Sequence, residues 1–325
     1  MKLFIRNAML FCCTQVVILL VLYMSVAQLP LNSEQYLAAT VDKQRLIENT
    51  VSPRIILIGG SSFAFSTDST KLKTDLQLNP VNMGLSALQG ARFMIAKVEP
   101  HLTAGDVVVI SLEYEIFGMK MLNDLPSILF FYDLPSIKYL SDWEEWRYLL
   151  NASLNCFGKA VRLLSVQLLK RDKAMDGLGP YRRSGFNRYG DFVAHWGSPK
   201  LDRVRNGWPI FDLRRLASIV DNLNRFYLRC KEKNVEVFYI YPPYPKNHAE
   251  VAPIAQILQQ ICETIEGRLS IPLLNCFEDS LYDEALFYDS CYHLNYNGVV
   301  LRTADLAKSL KKFLQPSREG IEKLS

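Results

Sequence analysis

The chain is 325 residues long, 49% apolar and 22% charged, with a formal net charge of +4. That apolar share supports a sizeable core, and the length suits one large domain or one domain with a substantial insertion. The small positive balance gives no case for nucleic acid: the basic residues form no stripe, and the densest central run, Lys170-Arg-Asp-Lys173, is short and broken by an acid.

Residues 1–30 read as a transmembrane anchor or signal. Lys2 and Arg6 flank an apolar stretch over 7–27, close to the roughly 20 residues that cross a hydrocarbon core. Basic residues on a short flank keep that end in the cytoplasm, which would put the globular part outside it. Ser25-Val-Ala27 also fits a signal-peptidase site, but the stretch is longer than most signal cores, so an anchor is preferred.

A juxtamembrane helix is expected within 31–51, over 33–49. The apolar run 55–58 reads as the first buried strand, and it ends in Gly59-Gly-Ser-Ser62. A serine on a sharp turn at the end of a buried strand is where a nucleophilic hydroxyl is best presented. Residues 81–84 form a short second strand ending at Gly84, followed by a helical pattern over 85–98. Gly105-Asp106 turns the chain into a third strand over 107–111. Such β-branched runs suit strands buried on both faces, as in parallel sheets.

From about 117 to 209 the pattern is irregular and rich in aromatics, and reads as an insertion with one or two helices over 142–170. Its polar cluster Asn187, Gly190 and Asp191 reads first as a structural loop, with contact to a glycan or partner near a site mouth as the other reading. Asn151-Ala-Ser153 satisfies a glycosylation sequon, a pattern that often arises by chance. The alternation then resumes with a helix over 213–233, a strand over 235–241, a helix over 251–266, a last strand over 271–274 and a closing helix over 297–314. This order argues for a doubly wound, flavodoxin-like α/β sheet within a domain spanning 52–325. Ligands in such sheets bind beyond the carboxyl ends of the strands, where Ser61, Ser62, Gly84 and Glu113 all fall.

Cys12 and Cys13 sit in the apolar segment, leaving Cys156, Cys230, Cys262, Cys276 and Cys291. That odd remainder, without a CxxC, gives little support for a disulfide framework, a zinc site or a redox site. Cys262 with Cys276 is the pair to test, and buried thiols are the preferred reading.

Near the other end, Asp289-Ser-Cys-Tyr-His293 supplies the carboxylate and imidazole that a nucleophilic serine needs. Gly60-Ser61-Ser62, Asn82-Met-Gly84 and Asp289 with His293 together resemble blocks of the SGNH (GDSL-like) hydrolase superfamily. The tail His293-Leu-Asn-Tyr-Asn-Gly298 resembles the membrane-anchored branch that includes teichoic-acid D-alanylation and alginate O-acetylation proteins. The resemblance implies Ser62 as nucleophile with Ser61 as rival, His293 as general base and Asp289 as its acid. It implies oxyanion donors from the backbone of Ser62 and Gly84, with the Tyr114 hydroxyl as substitute for an asparagine. Two departures stand out. Three residues rather than two separate Asp289 from His293, and the third block reads Ser111-Leu-Glu-Tyr-Glu115, with no asparagine.

The implied protein is a membrane-anchored serine esterase or O-acyltransferase acting on an acylated envelope glycan or polymer, without cofactor or metal. It would sit in the cytoplasmic membrane with an extracytoplasmic domain, beside a membrane-bound O-acyltransferase as partner. The alternative is a non-catalytic SGNH-like scaffold or binding partner of such an acyltransferase.

Overall fold

The computed structural model describes residues 34–118, 122–143, 145–152, 181–199 and 212–322, with 155, 156, 158, 204 and scattered helical positions between 5 and 21; from 315 only the backbone is described. Four parallel strands form the central sheet in the order β2-β1-β3-β4: β1 Arg54–Gly59, β2 Asn79–Asn82, β3 Val107–Ser111 and β4 Glu236–Tyr239. Register pairs Ile56 with Val81 on one side and with Val108 on the other. The β-branched runs are buried throughout β1 and β3, because helices cover both faces of the sheet.

Alternation along the strands assigns those faces. Ile56, Ile58, Val108 and Ile110 pack with α4 (Ala91–Val98), α6 (Leu213–Glu232) and α8 (Ile254–Arg268). Ile55, Leu57, Val107 and Val109 pack with α3 (Ser69–Leu76) and α9 (Tyr296–Glu322). Further helices among the described residues include α1 (Ala39–Asn49), the short α2 (Ser61–Phe65), α5 (Leu125–Phe131) and the one-turn α7 (Lys246–Ala249). A two-stranded parallel pair, β5 (Tyr244–Pro245) and β6 (Leu281–Tyr282), lies apart from the main sheet. Local chemistry sets the helix limits. Asp68 caps α3 by accepting from the Thr70 and Lys71 N–H groups, Gln77 ends it in a left-handed conformation, and Asp212 caps α6.

The structure corrects several expectations. A fifth strand over 271–274 is reduced to a single bridge, Tyr239 to Leu273, with the Tyr239 N–H donating to the Pro272 carbonyl. The architecture is therefore a mixed α/β fold around a parallel four-stranded sheet. The transmembrane helix expected at its head is not found among the described residues. Much of 7–27 lies outside the described residues, and among the described residues no helix is long and apolar enough to cross a membrane. The long α6, for example, buries one face only, with Leu216, Ile219, Val220, Leu223, Phe226 and Cys230, while Arg214, Arg225, Arg229 and Lys231 are among the mostly polar residues of the rest. The single-pass topology, the membrane localisation and the membrane-bound partner all depended on that helix, and none of them finds support among the described residues.

Only part of the expected insertion is described. Residues 145–152 are helical, most of the helix expected over 142–170 lies outside the described residues, and the segment 181–199 packs against the sheet domain. Cys262 is buried, Cys276 is exposed, and both are free thiols, so no disulfide joins them.

Candidate active site

The carboxyl end of β1 delivers the serine turn. Gly59 lies so close to β3 that a Cβ there would stand 2.3 Å from the Ser111 carbonyl oxygen. Gly60 is the residue before α2, and no side chain of its own caps that helix. Ser61, the first helical residue, is half-buried, whereas Ser62 is fully buried at 0% exposure. The Ser62 N–H donates to Glu113 Oε1 at 2.8 Å, and its hydroxyl makes no hydrogen bond of ordinary geometry. That hydroxyl is nonetheless close enough to favour the ionised Glu113 carboxyl.

Asp289 and His293 meet across the loop that precedes α9. The His293 N–H donates to the Ser290 carbonyl at 3.1 Å, and the Tyr288 N–H donates to the His293 carbonyl at 2.8 Å. This turn absorbs the extra residue and folds the two side chains together, with His293 Nδ1 2.7 Å from Asp289 Oδ1. Both are largely buried, and the imidazole stacks on Phe65 with ring centroids 3.9 Å apart and planes 11° apart. Ser66, just past α2, pins the loop: its hydroxyl donates to the Tyr292 carbonyl at 3.0 Å and accepts the Leu294 N–H at 3.3 Å. With Nδ1 committed to Asp289, Nε2 is the ring nitrogen left for a nucleophile. Among the described residues no hydrogen bond joins His293 to the hydroxyl of Ser61 or Ser62.

The expected oxyanion donors are already occupied or turned away. The Ser62 N–H serves Glu113, and the Gly84 N–H donates to Asn82 Oδ1 at 2.9 Å. Tyr114 is fully buried among Tyr244, Phe277 and Tyr292, which explains why burial drives its pKa upward. Glu113 points inward, 1% exposed, and burial raises its pKa against the opposing Ser62 N–H and His293. Glu115 is pushed up to about 7, again by burial.

Two contributors lie outside the motifs, and a third, Asn82, belongs to one of them but takes a role the motif did not assign. Tyr181 donates its hydroxyl to Asp289 Oδ2 and lies 3.3 Å from His293 Nδ1, so the insertion reaches the pair. His195, buried beside Phe65 and Phe192, has Nε2 2.9 Å from the Leu294 carbonyl, and burial lowers its pKa to about 4. Asn82 bonds the Phe63 carbonyl at 2.9 Å and Asp191 Oδ1 at 2.8 Å, tying the turns at Gly84 and α2 to the insertion. No sequence signal announces Tyr181. Asp191 and Asn187 do belong to the polar cluster seen in sequence, and here they serve as a structural dock.

Among the described residues no cluster of three or more histidine, cysteine, aspartate or glutamate side chains can hold a metal ion. No family model and no curated protein matches this chain. The SGNH likeness therefore rests on its short motifs alone and does not classify the protein. The membrane-anchored esterase of envelope polymers is likewise corrected, since its anchor is not found among the described helices.

Proposed function

We propose that this site performs acyl-enzyme chemistry on an ester, with a serine nucleophile, His293 as general base and Asp289 orienting it. The observation that supports this reading is the Asp289–His293 pair at 2.7 Å, stacked on Phe65 of the same short helix that Ser61 and Ser62 open. Ser61 is the nucleophile in this reading rather than Ser62. It is half-buried and lies one helical turn before Phe65, whereas the Ser62 hydroxyl is sealed from solvent. Ser61 Oγ attacks the ester carbonyl while His293 Nε2 takes its proton. The tetrahedral intermediate then expels the alcohol, which receives that proton, and leaves Ser61 acylated. Water, deprotonated by His293, releases the acid and restores the serine.

A non-catalytic binding module is the second reading, favoured by one specific observation: the Ser62 and Gly84 N–H groups are already hydrogen-bonded within the protein. Losing an oxyanion donor costs about 10²–10³ in rate. A fluorophosphonate probe, which requires an activated serine, separates the two. The expected result is a covalent adduct mapped to Ser61, absent in Ser61→Ala and His293→Ala and present in Ser62→Ala. An adduct on Ser62 would move the nucleophile by one residue. No adduct on correctly folded protein supports the binding module.

A further inference from the structure

Glu113 sits two residues beyond β3, yet its carboxyl turns back under the serine turn. Oε1 accepts the Ser62 N–H at 2.8 Å, and Oε2 has no hydrogen-bond partner. A Cβ on Gly60 would fall 2.4 Å from Oε1 and 2.5 Å from Oε2, so the carboxyl is packed against the turn itself. A buried carboxyl of this kind costs several kcal/mol unless something compensates for it. Its surroundings are mixed. His293 and the buried Arg302 favour its charge, while Glu115, Tyr239 and Tyr36 face it without doing so. Arg302, 2% exposed, lies 5.5 Å from the Phe63 ring centroid and reaches Ser111 Oγ at 3.3 Å.

α2 lacks a side-chain cap from its own sequence neighbours. Residue 62 is its second residue, whose N–H is ordinarily satisfied by such a cap. Glu113 supplies that acceptor from 51 residues away. Building on the serine-nucleophile reading, we propose that Glu113 is the positioning residue of the site, latching the Gly60–Ser62 turn through the Ser62 N–H and thereby fixing the direction in which Ser61 faces an ester. The latch connects the ends of β1 and β3, so the nucleophile is held by the sheet and not only by a five-residue helix. Misplacing a reacting group by about 1 Å can cost about 10²-fold in rate, enough to make such a latch matter.

Two variants and two readouts test it on the full chain. Glu113→Gln keeps an oxygen acceptor, and Glu113→Leu removes it. With the fluorophosphonate probe, Glu113→Leu should lower the limiting inactivation rate about 10²-fold while leaving the probe's half-saturating concentration within about threefold. Glu113→Gln should recover most of that rate. In protein labelled with ¹⁵N-serine, the Ser62 amide resonance should lie downfield in wild type, stay there in Glu113→Gln and lose its shift in Glu113→Leu. Wild-type behaviour of Glu113→Leu in both readouts overturns the proposal. So does equal impairment of both variants with melting temperature retained, because the glutamine still offers the acceptor. If wild type does not label, the acyl-enzyme reading fails, and the Ser62 resonance alone decides for or against the latch.

Discussion

At the serine turn two adjacent serines occupy different environments, Ser61 half-buried and Ser62 fully buried. The Ser62 hydroxyl is buried without an ordinary hydrogen bond. Its approach to the Glu113 carboxyl is favourable and offsets the cost of burying it, so Ser62→Ala should change stability by no more than about 1 kcal/mol. Gly60→Ala should behave otherwise. Its Cβ would lie 2.6 Å from the Ala87 backbone nitrogen as well as against the Glu113 oxygens, and the backbone cannot step aside. A loss of at least about 2 kcal/mol by urea denaturation is expected, and a Gly60→Ala protein as stable as wild type would contradict this packing. The sequence showed that a serine sits here but not which one. Gly59-Gly-Ser61 and Gly60-Ser-Ser62 both satisfy the same three-residue spacing, and only the helix phase separates the half-buried serine from the fully buried one. The pairing of Asp289 with His293 was legible because both lie in one short loop. The inward turn of Glu113 was not, since a carboxylate at a strand end ordinarily faces water.

The segment 181–199 is the element that the sequence pattern described least well and that the site uses most. Its aromatic and polar residues show neither helical nor strand periodicity, because it is held by side-chain contacts to the end of β2 and the start of α3. Asp191 accepts from Ser69 N–H at 2.9 Å, Ser69 Oγ at 2.7 Å, Asn82 Nδ2 at 2.8 Å and Asn187 Nδ2 at 2.9 Å. Gly190, at φ +90°, brings the loop to where a Cβ would touch the Asn82 carbonyl at 2.3 Å. Lys43 of α1 donates to the carbonyls of Asn82 at 2.8 Å and Gly190 at 2.6 Å, with its ammonium 4.6 Å from the Phe186 ring centroid. Burial pushes the Lys43 pKa down to about 7, against the opposing pull of Asp191 and Asp42 and with the help of Lys97. Because the folded value lies below the ordinary lysine value near 10.5, the associated stability is complete above that ordinary value and is lost as pH falls through about 7. The gap in unfolding free energy between wild type and Lys43→Met should therefore shift in favour of wild type as pH is raised from 7 to 10. A gap that stays constant over that range would show that Lys43 keeps its charge when buried.

Across the whole molecule, strand direction separates what stabilises the sheet from what lies at the site. The carboxyl ends of β1 and β3 carry Ser61, Ser62 and Glu113, the placement expected for ligands of parallel sheets. The amino ends carry a buried ion pair, Arg54 with Asp106, at 2.5 Å. Asp106 is fully buried and accepts from Arg54 Nε at 3.1 Å, the Arg54 N–H at 3.2 Å, the Thr103 N–H at 2.9 Å and Ser52 Oγ at 2.9 Å. The parallel core was readable in the β-branched runs, whereas this pair was not, because Arg54 and Asp106 are 52 residues apart and neither forms a motif. Asp106→Ala would leave the Arg54 guanidinium buried without its carboxylate, which should cost about 3–5 kcal/mol. Hydrogen bonds from Arg54, Thr103 and Ser52 hold the Asp106 carboxyl below its ordinary value despite the cost of burial. Its contribution is thus present above the ordinary aspartate range and disappears as pH falls through the lower folded value, so wild type should approach the variant's stability only in strong acid. If the two ends are independent, the folded fraction of Asp106→Ala should react with the fluorophosphonate probe at the wild-type rate. A large loss of that rate in protein shown to be folded would mean that the amino-end ion pair also shapes the serine turn at the far end of β1.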